Sequence, residues 1–177
     1  MAYYTWKSFK LKLSAFEIFK ALAKGENIFF LDSSLKANSS GRYSFLGIDP
    51  FYVFRASGRN PFRELRALFE KYRISPKSDL PPFVGGAVGF LSYDLGFVLE
   101  NKLSKRTVDD LHIPDCTFLF YNTIIIIDNL KKELCIFLTG FPEKTSSSAK
   151  ALCRANLKKM EKLLSKTGTG EGISKQV

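Results

Sequence analysis

The sequence predicts an α+β domain built on a mainly antiparallel sheet with flanking helices. The order of patterns along the chain is helix, strands, helix, strands, helix, which groups the strands. Two β-rich runs, TFLFYNTIIIID (117–128) and ELCIFLT (133–139), lie either side of four turn residues, as the arms of a hairpin do. The chain has 177 residues, 45% of them hydrophobic and 17 of them Phe, enough for one real core and too apolar for general disorder.

Ser14 and Glu17 have capping-box spacing, and the helix they open places Phe16, Phe19, Leu22 and Ala23 on one face before stopping at Gly25. Residues 27–33 (NIFFLDS) follow as a strand, and 34–41 (SLKANSSG) as a loop. Residues 42–48 (RYSFLGI) and 51–56 (FYVFRA) read as two strands parted by Asp49-Pro50. Asn60 is then an N-cap and Pro61 a first-turn proline, for a helix with Phe62, Leu65, Phe69 and Tyr72 on one side. After a proline-rich break, PPFVGGAVGFLSYDLG (81–96) reads as an apolar strand. Its glycines call for a bulge or a closely approaching neighbour. Residues 146–166 form the last helix, with Ala149, Leu152, Cys153, Asn156, Leu157, Met160, Leu163 and Leu164 at helical spacing and lysines opposite. Residues 1–166 thus make one domain. Residues 167–177 (TGTGEGISKQV) are Gly-rich and polar, and read as a linker or flexible tail.

Several function classes are disfavoured. Val84 stands where a dinucleotide fingerprint needs glycine, and no Gly-Lys-Ser/Thr follows, so the glycines do not read as a phosphate loop. The longest aliphatic run, 124–127, is too short to span a bilayer, and the N-terminus lacks a signal-length apolar stretch. Cys116, Cys135 and Cys153 are widely spaced and read as reduced core thiols of a cytoplasmic protein. The net charge is +10, but it is dispersed: 14 Lys/Arg against 7 Asp/Glu over residues 1–80, 5 against 8 over 81–143, and 8 against 2 over 144–177. No basic run interleaves with aromatics, so no nucleic-acid partner is expected. His112 is the lone histidine, without a nucleophile signature, and Asp109, Asp110 and Asp115 fit loop solvation or capping better than metal binding. No catalytic residue and no metal ligand is assigned.

Motifs in order carry a resemblance. FFLDSS (29–34), GRYSFLGIDP (41–50), PPFVGGAVGFLSYDLGFVLE (81–100) and DDLHIPDCTFLFYNTIIIIDN (109–129) resemble the N-terminal domain of component I of the chorismate-utilising synthases, the anthranilate and aminodeoxychorismate synthases. The resemblance implies that this chain is one half of a two-sheet αββα architecture completed by a C-terminal catalytic domain. That domain, with its Mg2+ carboxylates, is missing from these residues, and no cofactor is expected in this segment. A glutamine amidotransferase subunit, component II, is the implied partner of the whole enzyme. SYDLG, followed by Asp109-Asp110-Leu111 and Pro114-Asp115, looks more like the aminodeoxychorismate branch, which serves 4-aminobenzoate and folate synthesis; the anthranilate branch stays open. Phe97 departs from the basic residue that many relatives carry after YDLG. A stand-alone amino-acid-binding module is a further alternative.

The family also has a tryptophan site, and the matching positions here are Leu31, Asp32, Ser33, Ser40, Arg42 and Tyr43. On this reading Asp32 and Ser33 accept the ammonium, Arg42 donates to the carboxylate, and Leu31 and Tyr43 wall the indole. The purely structural alternative pairs Arg42 with Asp32 across strands and leaves Tyr43 in the core.

Overall fold

The computed structural model describes residues 3–32, 41–75, 80–100, 102–103, 109–166 and 172–173. Along the chain these residues form β1 (Tyr4–Lys10), α1 (Ala15–Leu22), β2 (Phe29–Leu31), β3 (Tyr43–Gly47), β4 (Tyr52–Ala56), α2 (Phe62–Lys71) and β5 (Gly86–Leu91). α3 (Leu95–Leu99), β6 (Cys116–Tyr121), β7 (Thr123–Asp128), β8 (Glu133–Thr139), α4 (Ser146–Ser165) and β9 (Gly172–Ile173) complete the order.

Side-chain alternation in β7 and β8 sets the layers. Ile125, Ile127, Leu134, Ile136 and Leu138 point to one face, where Ile18 and Leu22 of α1 and Cys153, Met160 and Leu164 of α4 cover them. Ile124, Ile126 and Phe137 point to the other face, against Val84 and Tyr121. Both faces of these strands are therefore buried, which is why the run 124–127 has no polar positions. The main sheet is antiparallel, in the order β2-β3-β7-β8-β1-β9. A smaller antiparallel sheet, β4-β6-β5, packs on its second face. Leu65 of α2 and Tyr72 just past its end close the outer side of that sheet over Phe54 and Phe120. The fold is α+β, with two antiparallel sheets between helices. Both of these sheets are formed by residues of this chain.

Local readings change at four places. Residues 117–128 are two strands, not one: β6 lies in the small sheet and β7 in the large one, with Asn122 at the corner. α1 begins at the Ser14–Glu17 capping box as expected, but buries Ala15, Ile18 and Leu22, whereas Phe16 is 56% exposed. β1 carries no single apolar face and was not foreseen. Its Tyr4 and Trp6 stack with Phe137 on the second face, while Phe9 joins the helix-covered core and Lys7 reaches Glu161 of α4 at 2.6 Å. Within the stretch read as a tail, Gly172–Ile173 pairs with β1.

Other readings hold. β7 and β8 form the hairpin, Thr123 opposite Leu138 and Asp128 opposite Glu133. The α2 start holds with a shift of one residue: Pro61 holds the N-cap position without a side-chain cap bond, and Asn60, just before it, accepts from the Phe62 amide at 3.0 Å. Cys116 and Cys153 are buried, Cys135 half-buried, and all three are free thiols. Burial pushes the Cys135 and Cys153 thiols up to about 11 each. Among the described residues no helix is long and apolar enough to cross a membrane.

Candidate functional site

Among the described residues β2 is an edge strand of the large sheet, so one side of its backbone is unpaired by any described strand. It pairs with β3, Leu31 opposite Phe45, and β3 pairs with β7, Tyr43 opposite Asp128. Leu31 shares a face with Phe29, and Tyr43 with Phe45, so both belong to the face that the small sheet partly covers. Leu31 is 50% exposed there. Ser44 lies on the opposite, helix-covered face with Leu46 and is fully buried. Its hydroxyl donates to Asp32 Oδ1 at 2.7 Å and accepts from Asn129 Nδ2 at 3.0 Å.

Arg42 does not pair with Asp32. Its Nε and Nη2 both donate to Asp128 Oδ2, at 3.0 and 2.6 Å, and its guanidinium lies 4.8 Å from the Tyr43 ring centre. Asp128 Oδ1 meanwhile accepts from the Leu130 and Lys131 amides at the β7–β8 turn. One carboxylate thus anchors both the turn and the start of β3. The Arg42 carbonyl accepts from the Asn129 amide at 2.8 Å, tying the same two places by backbone. Burial raises the Tyr43 phenol above its usual range, and the Asp128 charge adds to the rise.

Of the six residues assigned from the sequence, the structure places Leu31, Asp32, Arg42 and Tyr43 at this one end of the β2–β3 pair; Ser33 and Ser40 lie outside the described residues. Leu31 and Tyr43 share a face. Asp32 is exposed but held through Ser44 on the other face, so a ligand touching all four would sit at the strand ends. Such a ligand would meet a guanidinium whose charge is already balanced by Asp128. Sequence reasoning missed Asp128, Ser44 and Asn129 as partners here. The signal available was the single carboxylate ending an aliphatic run.

The loop carboxylates act as turn acceptors. Asp115 takes the Gly58 amide at 2.7 Å and the Ser92 hydroxyl at 3.2 Å, which joins the SYDLG turn to the end of β4. Asp109 accepts from the His112 amide at 2.9 Å.

Burial pushes the Asp128 carboxyl up, but the Arg42 fork and the two turn amides outweigh it and hold the group below its ordinary value. A depressed folded pKa adds stability above the unfolded value near 3.8, lost as pH falls through the folded value. Asp128→Asn should therefore lower stability at pH 7 and flatten the loss that the parent chain shows on acidification below about pH 4. Urea midpoints measured from pH 2 to 7 check this. Parallel profiles for the two proteins would contradict it.

No family model matches the chain. It is similar to the anthranilate synthase component 1 of Acetivibrio thermocellus, 29% identical over 137 residues, covering 68% of this chain and 28% of that protein. It is 29% identical over 129 residues to the aminodeoxychorismate synthase component 1 of Bacillus subtilis, covering 63% of this chain and 27% of that one. With the anthranilate synthase component 1 of Thermus thermophilus it shares 32% identity over 133 residues, 67% of this chain and 28% of the relative. Among solved structures, anthranilate synthase component I from Streptococcus pneumoniae superposes with a TM-score of 0.54 at 22% identity, over 81% of this chain and 34% of that one. At that identity the likeness speaks for the fold. The chain spans about a third or less of the length of these relatives.

Proposed function

Homologues of this chain are component I of anthranilate synthase and component I of aminodeoxychorismate synthase, and from that premise we propose that it is the non-catalytic N-terminal domain of such a component. The carrying observation is one-sided coverage: 68% of this chain matches 28% of the Acetivibrio protein. The remaining length would hold the catalytic domain, which aminates chorismate with ammonia delivered by a glutamine amidotransferase subunit. Mg2+ belongs with that domain. Among the described residues no three His, Cys, Asp or Glu side chains gather to hold a metal.

The preferred product is aminodeoxychorismate, on the SYDLG form with Asp109-Asp110-Leu111 behind it. Anthranilate is the second reading, favoured by the names of the Acetivibrio and Thermus relatives. Chromatographic product analysis of the full-length protein with chorismate and ammonia decides between them. The 177-residue chain alone should yield neither product, and turnover by it would overturn the non-catalytic assignment.

The end of the β2–β3 pair is proposed to contribute to a tryptophan site. Leu31 and Tyr43 would flank the indole, Asp32 with Ser33 would accept the ammonium, and Arg42 would donate to the carboxylate, with Ser40 the sixth residue assigned. The open edge of β2 and the exposure of Leu31 and Asp32 support the placement. A charge-assisted hydrogen bond contributes about 1.5–3 kcal/mol, so Arg42→Ala should weaken tryptophan binding by the full-length protein about tenfold or more. Lys36→Ala serves as the reference substitution. Equal affinities for the two variants by calorimetry would make Arg42 purely structural.

A further inference from the structure

An open cleft of about 810 Å3 lies between α2 and residues 82–87, and Phe83 in its wall also contacts the Phe45 ring of β3. A hollow of that size suits a small organic molecule. Its walls are mostly apolar: Phe62, Leu65 and Phe69 come from α2, with Phe83, Val84 and Ala87 opposite. Phe62 and Phe69 stand two turns apart on the helix and remain 40% and 42% exposed, although Phe69 contacts the rings of Phe118 and Phe120 beneath it. Gly85 and Gly86, both at positive φ, form part of the opposite wall; a Cβ at Gly85 would come within 2.8 Å of Ile74 Cδ1. The backbone there is bare, and the cleft stays open beside it.

The charged side chains of the cleft all come from its α2 flank: Arg66 on the helix and Arg73 two residues beyond its last residue. Arg42 and Arg59 each pair with a carboxylate, but neither Arg66 nor Arg73 forms an ion pair with a described residue. Glu70 lines the same flank and is not paired with either of them, leaving the rim net positive. Arg66 also borders a smaller hollow on the other side of Phe62, shared with Arg63.

We propose that this cleft binds a planar aromatic carboxylate, its ring among Phe62, Phe69 and Phe83 and its carboxylate on Arg66 and Arg73. Ring and charge are both needed. A flat ring gains offset or edge contacts with the three phenylalanines, and a planar carboxylate matches the guanidinium fork. A neutral aromatic keeps only the first contribution and an aliphatic acid only the second. The site is separate from the β2–β3 end and does not depend on which product the parent protein makes.

Calorimetric titration of the chain with 1-naphthoate, 1-naphthalenemethanol and hexanoate tests the site. Naphthoate should bind at least tenfold more tightly than either of the others. Arg66→Gln combined with Arg73→Gln, both exposed changes, should bring naphthoate down about tenfold and leave the alcohol unaffected. Equal affinity for acid and alcohol, or undiminished naphthoate binding by the double variant, overturns the assignment. So does a chain that dimerises and takes up no naphthoate, since the occupant would then be a second copy.

Discussion

Gly89→Val should cost at least about 3 kcal/mol or prevent folding, whereas Gly96→Ala, seven residues on in the same glycine-rich stretch, should change stability by less than about 1 kcal/mol. A Cβ at position 89 would lie 1.9 Å from the Thr117 carbonyl oxygen and 2.7 Å from Phe118 Cα. These are backbone atoms of β6, where Gly89 pairs opposite Phe118, so no rotamer change can relieve the contact. Only a wider β5–β6 spacing could, and that would break ladder hydrogen bonds. At Gly96 a Cβ meets nothing within 4 Å, and the residue is in α3, where alanine is the better helix former. For a chain of this size 1 kcal/mol corresponds to roughly 2–4 °C in Tm, so valine at position 89 should lower it by about 6–12 °C or more. Circular-dichroism melts of the two variants give the answer; matching melting temperatures would mean that β5 and β6 are not packed this closely.

The same stretch shows what could be read from the sequence. Four glycines among aromatics signalled close approach or positive φ, and Gly89 supplies the first while Gly85 and Gly86 supply the second. The cap of α1 was legible because it is local: Ser14 and Glu17 need only three residues of spacing. The buried face of α1 was not legible. Leu22 is buried as expected, but Ala15 and Ile18 satisfy helical spacing with it as well as Phe16, Phe19 and Ala23 do, and the two faces differ by one residue of rotation, about 100°. Only the position of Met160 and Leu164 across the gap decides, and that is tertiary information. β1 escaped for a related reason: with Tyr4 and Trp6 on one face and Phe9 on the other, it lacks the one-sided alternation by which half-buried strands are found.

At the β2–β3 end, spacing brought Leu31, Asp32, Arg42 and Tyr43 into one neighbourhood but could not say whom Arg42 meets. Asp32 is ten residues away and Asp128 eighty-six, yet β7 stands beside β3 and brings the distant carboxylate to 2.6 Å. Sheet order selects the partner. Strand pairings of this range cannot be read from local pattern alone, which is why the cross-strand guess fell on the nearer aspartate.

The corner at Asn122 was hidden in the same way, and it carries the second large expected effect. Asn122 Nδ2 donates to the Phe141 carbonyl at 2.9 Å, while its Oδ1 accepts from Thr123 Oγ1 at 3.0 Å and from Asn156 Nδ2 at 3.2 Å. Asn122 and Thr123 are 8% and 5% exposed, so little water is available to replace these bonds. Asn122→Ala would leave the Phe141 carbonyl without that donor and the Asn156 amide with Thr123 Oγ1 as its remaining acceptor here. Buried groups left unsatisfied cost about 1–3 kcal/mol each, so a total loss on the order of 2–4 kcal/mol is expected. Asn156→Ala alone should cost less, because Asn122 keeps Phe141 and Thr123. The double variant should lose roughly 1 kcal/mol less than the two single losses together, since removing Asn156 also removes the amide that Asn122→Ala would strand. Chemical denaturation of the four proteins measures that coupling. Strict additivity would mean that Asn156 does not share in holding the chain where β6 leaves one sheet and β7 enters the other.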